Sequence, residues 1–302
     1  MSKIVVTVGV CVRNCEDTIR DAIESVMTQD YPHELMEVIF VDDGSEDRTL
    51  SIIKEYVNKM DMRVKIFHHK WRGLGFTRNV VVNNAEGEYI LWVDGDMKLP
   101  KNYVKRQVNF IRQNPRIGVV GGKPALQYSG NLVTLLENIV PVIYLAKYKE
   151  KAKKLPGTGG SIFSVNAIRQ IGGFDERIKG SAEDIDVVYR IKSAGWIVSR
   201  SDAFFYEGYE ETWKELFKKY IWHGYGGHYF FHKNRSFAKF YGMVPPISFF
   251  VGLLFAITAY KITGRKVYFL LPFHYALKRT FWCLGFIKAH IDGYGHCCSE
   301  TG

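Results

Sequence analysis

Cysteine is scarce in this sequence: five residues in 302, none of them in a C-x-x-C arrangement. An odd number at that spacing argues against a disulfide framework and a zinc knuckle, and fits a reducing compartment. No internal repeat recurs at a fixed period, which sets aside solenoids and propellers. No segment is low in complexity, so extended disorder is not expected. The opening residues, "MSKIVVTVGV", run straight into a strand pattern, and no signal peptide is expected there. An RNA- or DNA-reading signature is also missing, although the formal charge is +10. That charge favours anionic partners, and with nucleic acid set aside these are anionic lipid and phosphorylated small molecules.

What the sequence does hold is a 47% apolar content and an alternation of elements. Apolar runs at 4–10, 37–41, 64–69, 88–93 and 117–122 read as strands. Helical periodicity fills about 18–27, 48–58, 76–84 and 102–113 between them. Strands apolar on both faces and separated by helices predict an α/β fold with a mostly parallel central sheet. Ligands of such sheets gather at the carboxyl ends of the strands, near a switch in strand order. Further helices are expected at 132–149, from about 182 to a cap at Gly195, and at about 212–228, with a short strand at 161–165.

Three acidic stretches lie where such a sheet places its ligands. "VDDGSEDRT" puts Asp42 and Asp43 at the end of the second strand. An Asp-Gly turn accounts for them, and so does hydrogen bonding to a base or ribose. "YILWVDGDMKLP" delivers Asp94 and Asp96 on a tight turn around Gly95. Two hard oxygen ligands suit Mg2+ or Mn2+, and glycine between them leaves space for a diphosphate. Carboxylates at a strand end are costly unless a cation or water compensates them. "SAEDIDVVYR" opens a helix with Glu183, Asp184 and Asp186. Ser181 and Asp184 have capping-box spacing, and acids here complement the helix dipole. The alternative role is a general base, although a helix N-terminus lowers a carboxylate's pKa and weakens it as a base.

In their order and spacing, "VGVCVRNCEDTI", "VIFVDDGSEDRT", "GLGFTRNVVVNNAEGEYILWVDGDMKLP", "GTGGSIFSVNAIRQIGGFDE" and "AEDIDVVYRIKSAGWIV" resemble the family-two inverting glycosyltransferases of the GT-A fold. The resemblance covers about residues 4 to 225. It implies transfer of a sugar from a nucleoside-diphosphate sugar with the help of Mn2+ or Mg2+. Cys11, at a place where the family usually has proline or threonine, and Arg13 would line the base pocket, with Glu16 nearby. Asp43, helped by Asp42, would contact base or ribose. Arg78 would face the diphosphate, Asp94 would touch ribose or metal, and Asp96 would be the metal ligand. Asp184 would be the catalytic base, with Glu183, Trp222 and His223 on the acceptor side; a lone histidine is more often structural. The processive members' Q-x-x-R-W signature is represented here by "KYIWHG", where Lys218 and Ile221 replace Gln and Arg. One sugar per acceptor is therefore expected. Two other functions remain possible: a nucleotidyltransferase, for which "VCVRNCEDT" lacks the glycine-rich triphosphate loop, and a catalytically silent nucleotide-sugar-binding scaffold on a membrane.

The glycosyltransferase domain is expected over 1–240 and an apolar helical region over 241–302. "MVPPISFFVGLLFAITAY" (243–260) carries no charge in 18 residues. With Pro245 and Pro246 at the helix start it leaves about 15 residues, or roughly 22 Å, against a bilayer core of roughly 30 Å. From 267 to 291 the sequence is amphipathic, with Leu270, Phe273, Leu277, Phe281 and Leu284 on one face. An interfacial or re-entrant pair of helices is expected, against the alternative of a hairpin packed on the rest of the protein. The expected acceptor is then a lipid-linked phosphate or a membrane glycan precursor, with a soluble saccharide or a protein as the alternatives, and the expected location the cytoplasmic face of a membrane. Basic runs at 146–154 and after residue 212 (Lys214, Lys218, Lys219, Lys233, Arg235, Lys239) suit an anionic surface or a solvated helix face alike. For Cys297 and Cys298, lipid attachment and no role are both open.

Overall fold

Seven residues buried on both faces, Val6–Val12, form β1 at the centre of the sheet. The structure, a computed structural model, describes residues 3–127, 130–148, 155–209, 211–234 and 243–295, with 145, 147 and 148 described by backbone alone. Most of the 146–154 basic run, Arg235, Lys239, Cys297 and Cys298 lie outside the described residues or their side chains.

The chain continues through α1 (Ile19–Met27), β2 (Met36–Asp42), α2 (Thr49–Val57), β3 (Arg63–His68), α3 (Leu74–Asn84), β4 (Tyr89–Asp94), β5 (Met97–Lys98), α4 (Tyr103–Ile111) and β6 (Ile117–Pro124). Next come α5 (Leu132–Tyr148), β7 (Ile162–Ser164), α6 (Val165–Gln170), α7 (Glu183–Ser193), β8 (Ile197–Glu207), α8 (Trp213–Lys233), α9 (Pro245–Thr263) and α10 (Leu271–Ile291). The strand order is β3-β2-β1-β4-β7-β6-β8-β5. β1 to β4 run parallel, as do β6 and β8, while β7 is antiparallel to both its neighbours. The expected α/β architecture with a mostly parallel sheet is therefore the one found. Strand order reverses at β1, which lies between β2 and β4, so its carboxyl end is the switch point. One apolar cluster, including Val8, Val38, Leu91 and Ile23, packs one face of the sheet; a second, including Ile39, Trp92, Phe163 and Val188, packs the other.

By internal packing the chain divides into two compact units. The first holds Met1–Ala125, Lys153–Arg177 and Asp184–Gly208, and therefore the whole sheet. The second holds Leu126–Ala152, Ile178–Glu183 and Tyr209–Gly302, which joins α5 and α8 to α9 and α10. The reason is side-chain complementarity. Leu136, Ile139 and Ile143 of α5 bury against Phe255, Ala256 and Ala259 of α9 and Tyr275 of α10.

Within this second unit, α9 is 19 residues long, about 28 Å. It starts at Pro245 and Pro246 as expected, but it continues past the uncharged run to Thr263, so the length argument against a crossing loses its basis. Among the described residues it is the one helix long and apolar enough to cross a bilayer. α10 buries Tyr275, Trp282, Gly285, Ala289 and two polar residues, His274 and Lys278. Among the described residues its apolar stripe keeps Phe273 at 67% exposure and Leu277, Leu284 and Ile287 exposed, whereas Phe281 stacks on Phe217 of α8.

The buried polar residues of α10 answer to Glu137 on α5. Its Oε1 lies 2.7 Å from Lys278 Nζ and 2.5 Å from His274 Nε2, and its Oε2 accepts from Tyr220 Oη at 3.0 Å. Burial alone would raise the Glu137 pKa, but Lys278 and His274 together hold it well below the usual carboxylate range. That stabilisation is present above the unfolded pKa and is lost as pH falls through the lowered folded value. Glu137→Leu strands the Lys278 charge in the interior, and we expect a loss of about 3–5 kcal/mol in denaturant unfolding. Glu137→Leu combined with Lys278→Met should recover most of it, because an apolar pair carries no uncompensated charge.

Candidate active site

The carboxyl ends of three adjacent strands bring the predicted residues together. In register, Cys11 stands opposite Asp94 on one side and Val41 on the other, and Val12 stands opposite Asp42. Cys11 is buried, with Arg78, Asp94 and Asp43 around it. Burial, moderated by Arg78, pushes its thiol up to about 12, so it stays protonated at neutral pH.

Arg78 and Asp94 form the centre of this site. Arg78 Nη2 lies 3.6 Å from Asp94 Oδ1. α3 aims Arg78 through its neighbour Asn79, whose amide grips the turn after α6. Asn79 Nδ2 donates to the Phe174 carbonyl at 3.0 Å, and its Oδ1 accepts from the Phe174 N–H at 2.8 Å. The Phe174 ring then lies 5.7 Å from the Arg78 guanidinium and edge-on to Trp92. The turn depends on Gly172 and Gly173, both at positive φ; a Cβ on Gly173 would meet Asn79 Oδ1 at 2.5 Å.

The segment "GTGG", Gly157 to Gly160, reaches both candidate catalytic carboxylates. A Cβ at Gly157 would stand 2.6 Å from Asp184 Oδ2, and one at Gly159 would stand 2.8 Å from Asp94 Oδ2. One tripeptide thus touches both acids, and its length keeps them within roughly 15 Å of each other. The segment is fixed to β4: Gly160 N–H donates to the Trp92 carbonyl, and Trp92 N–H to the Ser161 carbonyl, each at 3.0 Å. Gln107 Nε2 and Tyr103 Oη also donate to the Gly160 carbonyl. Asp184 sits in the first turn of α7, partly exposed, with Oδ1 accepting from Ile185 N–H at 2.8 Å.

Asp96 is exposed, on the turn between β4 and β5, and Gly208 passes beside it. A Cβ at Gly208 would lie 3.0 Å from Asp96 Cβ and 3.1 Å from Oδ2. Gly95 does not serve the open approach expected of it. It is buried, and its missing Cβ would meet Cys15 Sγ and Val12 Cγ1 at 3.0 Å, so glycine is needed there for packing.

Asp42 and Asp43 are spent largely on their own chain. Asp42 is fully buried; its Oδ2 lies 2.7 Å from His68 Nδ1, and Oδ1 accepts from Ser45 Oγ. Asp43 accepts from Arg72 N–H at 2.7 Å and Gly73 N–H at 3.0 Å. Its carboxylate therefore shapes the loop after β3. Glu16 is committed in the same way, accepting from Arg48 N–H at 3.0 Å at the start of α2. Arg13 is exposed at the rim, with its guanidinium 5.6 Å from the ring of Trp71.

Trp71, 51% exposed on the loop that Asp43 holds, did not stand out in the sequence. The signal was "HHKWRG", an aromatic between basic residues directly after an apolar strand. Asp186 proves structural: it pairs with Arg190 at 2.8 Å, and Arg190 in turn donates to the Ile171 and Gly173 carbonyls. The capping-box reading of Ser181 is also replaced. Ala182 adopts positive φ between Ser181 and the helix, and the Ser181 hydroxyl lies 2.9 Å from His223 Nδ1.

Glu183, Trp222 and His223 belong to the second unit. Glu183 is buried and Trp222 is 40% exposed. Burial, with help from the Lys219 and Arg279 charges, pushes His223 down to about 3 and keeps it neutral.

The profile of the family Glycosyl transferase family 2 matches residues 7–172. Poly(ribitol-phosphate) beta-N-acetylglucosaminyltransferase TarS of Staphylococcus aureus is 38% identical over 101 residues, 33% of this chain and 18% of TarS. Poly-beta-1,6-N-acetyl-D-glucosamine synthase of Staphylococcus epidermidis is 24% identical over 184 residues, 59% of this chain and 43% of the synthase. The matches thus span less than half the length of these two relatives. Among solved structures, mannosyltransferase PcManGT from Pyrobaculum calidifontis, in complex with GDP-Man and Mn2+, superposes with a TM-score of 0.67 at 18% identity, covering 95% of this chain and 87% of that one. TarS 1-349 in complex with UDP superposes with a TM-score of 0.55 at 22% identity, covering 96% and 92%. At these identities the likeness to solved structures concerns the fold.

Proposed function

The chain belongs to glycosyl transferase family 2, and from that premise we propose that it moves one sugar from a nucleoside-diphosphate sugar to an acceptor hydroxyl or phosphate, with inversion at the anomeric carbon. The observation that carries this reading is the Gly157–Gly159 tripeptide, whose two ends lie against Asp184 and Asp94. A donor seated at the switch point has its diphosphate beside Arg78 and Asp94. Asp184 Oδ2 is the oxygen that accepts the acceptor's proton as the acceptor oxygen forms its bond to the anomeric carbon and the bond to the diphosphate breaks. A single displacement without a covalent intermediate inverts the centre. Arg13 and Trp71 serve the rim at the nucleobase end, with Cys11 a neutral thiol in its wall, while Asp42, Asp43 and Glu16 act on the donor through the loops they hold.

The residues present fit a divalent cation. Asp94 and Asp96 offer hard oxygen donors, and glycines at 159 and 208 stand where side chains would crowd those oxygens. Mn2+ or Mg2+ held by Asp96 with Asp94 supplies charge neutralisation for the departing diphosphate. Nucleotide sugars are the donor class with which PcManGT was solved.

For the acceptor, the support is the exposed apolar residues of α10 and the formal charge of +10. They suit a lipid-linked or membrane glycan precursor, met at the cytoplasmic face of a membrane by the apolar helices of the second unit. Glu183, Trp222 and His223 remain the acceptor-side candidates, and the replaced Lys218 and Ile221 favour a single transfer.

The test is a calorimetric donor screen with Mn2+, followed by turnover with membrane lipid. Release of a nucleoside diphosphate and a product of inverted configuration supports the reading. Release of pyrophosphate would make the chain a nucleotidyltransferase, and binding without turnover would make it a scaffold. Gly157→Ala offers a sharper probe. The methyl displaces the end of one flexible side chain, so the melting temperature should stay within a few degrees. A shift of about 1 Å in Asp184 should nevertheless cost about 10²-fold in kcat.

A further inference from the structure

Helices α8 and α10 of the second unit approach unusually closely, and small residues are the reason. A Cβ at Gly224 would lie 1.9 Å from the Trp282 carbonyl oxygen, and one at Gly285 would lie 2.0 Å from that of Ile221. Beyond this crossing, the two helices bring three imidazoles together. His228 and His232 are four residues apart on α8 and share a face, and His290 comes from the last turn of α10. One ring nitrogen from each lies within 4.8 Å of the others. His228 is buried and His232 partly so, while His290 is exposed and leaves the cluster open to solvent.

The orientation of His228 is set by a second group. Its Nδ1 lies 2.6 Å from the Tyr294 carbonyl oxygen, which can only accept, so Nδ1 carries the hydrogen and Nε2 presents a lone pair. A backbone carbonyl fixing one nitrogen while the other faces inward is the usual support of a metal-bound histidine. That Nε2 is 3.4 Å from His290 Nδ1. At that distance the two rings make a long N–H···N hydrogen bond, which a bound ion would replace. The spacing is close to the roughly 3.3 Å that two nitrogens adopt on one tetrahedral zinc ion at about 2.05 Å.

We propose that His228, His232 and His290 form a site for Zn2+ or a similar first-row transition ion, tying the end of α10 to α8. Three imidazoles suit borderline metals and not Mg2+ or Mn2+, so this site differs in chemistry from the oxygen donors of Asp94 and Asp96. Three histidines leave a position for water on a four-coordinate ion. Rotation of the exposed His290 ring and of His232 draws the nitrogens in to coordination distance.

The test uses the full chain without a histidine tag, stripped with chelator and titrated with Zn2+, Mg2+ and Mn2+ by calorimetry, and with Co2+ by absorption. We expect one equivalent of Zn2+ at micromolar affinity or tighter, the intense visible bands of tetrahedral Co2+, and a rise in melting temperature with Zn2+. His290→Gln and His232→Gln should each weaken Zn2+ binding at least tenfold while the circular dichroism is unchanged. His33→Gln, on a histidine far along the chain in the first unit, should leave it intact, and so should Asp96→Ala. No saturable binding at 100-fold the protein concentration would overturn the site. Saturable binding that survives in the His232→Gln/His290→Gln double variant would overturn it equally, because the ion would then sit elsewhere.

Discussion

Asp184→Asn should lower kcat by at least about 10²-fold while leaving the donor affinity within a few-fold of its original value. The substitution preserves shape. Asp184 Oδ1 accepts from Ile185 N–H at 2.8 Å, and an asparagine carbonyl can keep that bond. What changes is Oδ2, the oxygen facing Gly157, which becomes an amide unable to take a proton. General-base contributions of about 10²–10⁴-fold set the size of the loss. The split between kcat and donor binding is the informative part. An uninvolved surface acid would move neither quantity, and a fold-breaking change would move both together with the melting temperature. Near-normal turnover in this variant would take the base role from Asp184.

Chelation should abolish turnover, and Mn2+ or Mg2+ alone, without Zn2+, should restore it. Asp96→Ala should lose about 10²–10³-fold and show no recovery with added metal. Several kcal/mol of charge stabilisation is at stake at about 1.36 kcal/mol per tenfold. Asp96 is exposed, so its removal has little to do with folding. The order of addition separates the two metal sites, since a chain whose activity returned only with Zn2+ would point to the histidine cluster. Full activity in EDTA would remove the metal from the mechanism.

The strands that build the switch point were readable because each is a short apolar run followed by a polar turn, and β1 to β4 begin and end within two residues of expectation. β8 was missed. It alternates, with Ser201, Ala203 and Phe205 buried between exposed Asp202, Phe204 and Tyr206, and a search for runs apolar on both faces passes over that pattern. α6 was hidden because Val165 continues the apolar run of β7, although Ser164 already caps a helix by accepting from Ala167 N–H. α8 runs to Lys233, five residues beyond the expected His228. Its glycines resemble a stop signal, but they serve close approach: Gly224 to α10, and Gly226 to Ser181, whose carbonyl oxygen a Cβ there would meet at 2.1 Å.

At the candidate site, the acids stand out in the sequence as candidates, while the partners that each one takes do not. Asp42 and Asp43 look alike in sequence, yet Asp42 binds Ser45 in its own turn and His68 at the end of β3, while the Asp43 donors Arg72 and Gly73 lie up to 30 residues away on the loop after β3, a pairing no local pattern encodes. The same holds for Gly157 and Gly159. "GTGG" reads as a turn, and only the fold shows that both glycines stand against carboxylates from other elements.

The most direct measurement is anomalous diffraction from crystals of the chain soaked with Mn2+ and a nucleoside diphosphate. The account predicts a manganese peak at coordination distance from an Asp96 oxygen, with the terminal phosphate bound to the same ion and Asp184 facing the space beyond it. A nucleotide whose manganese lies away from Asp94 and Asp96, or whose phosphate points away from Asp184, would contradict it.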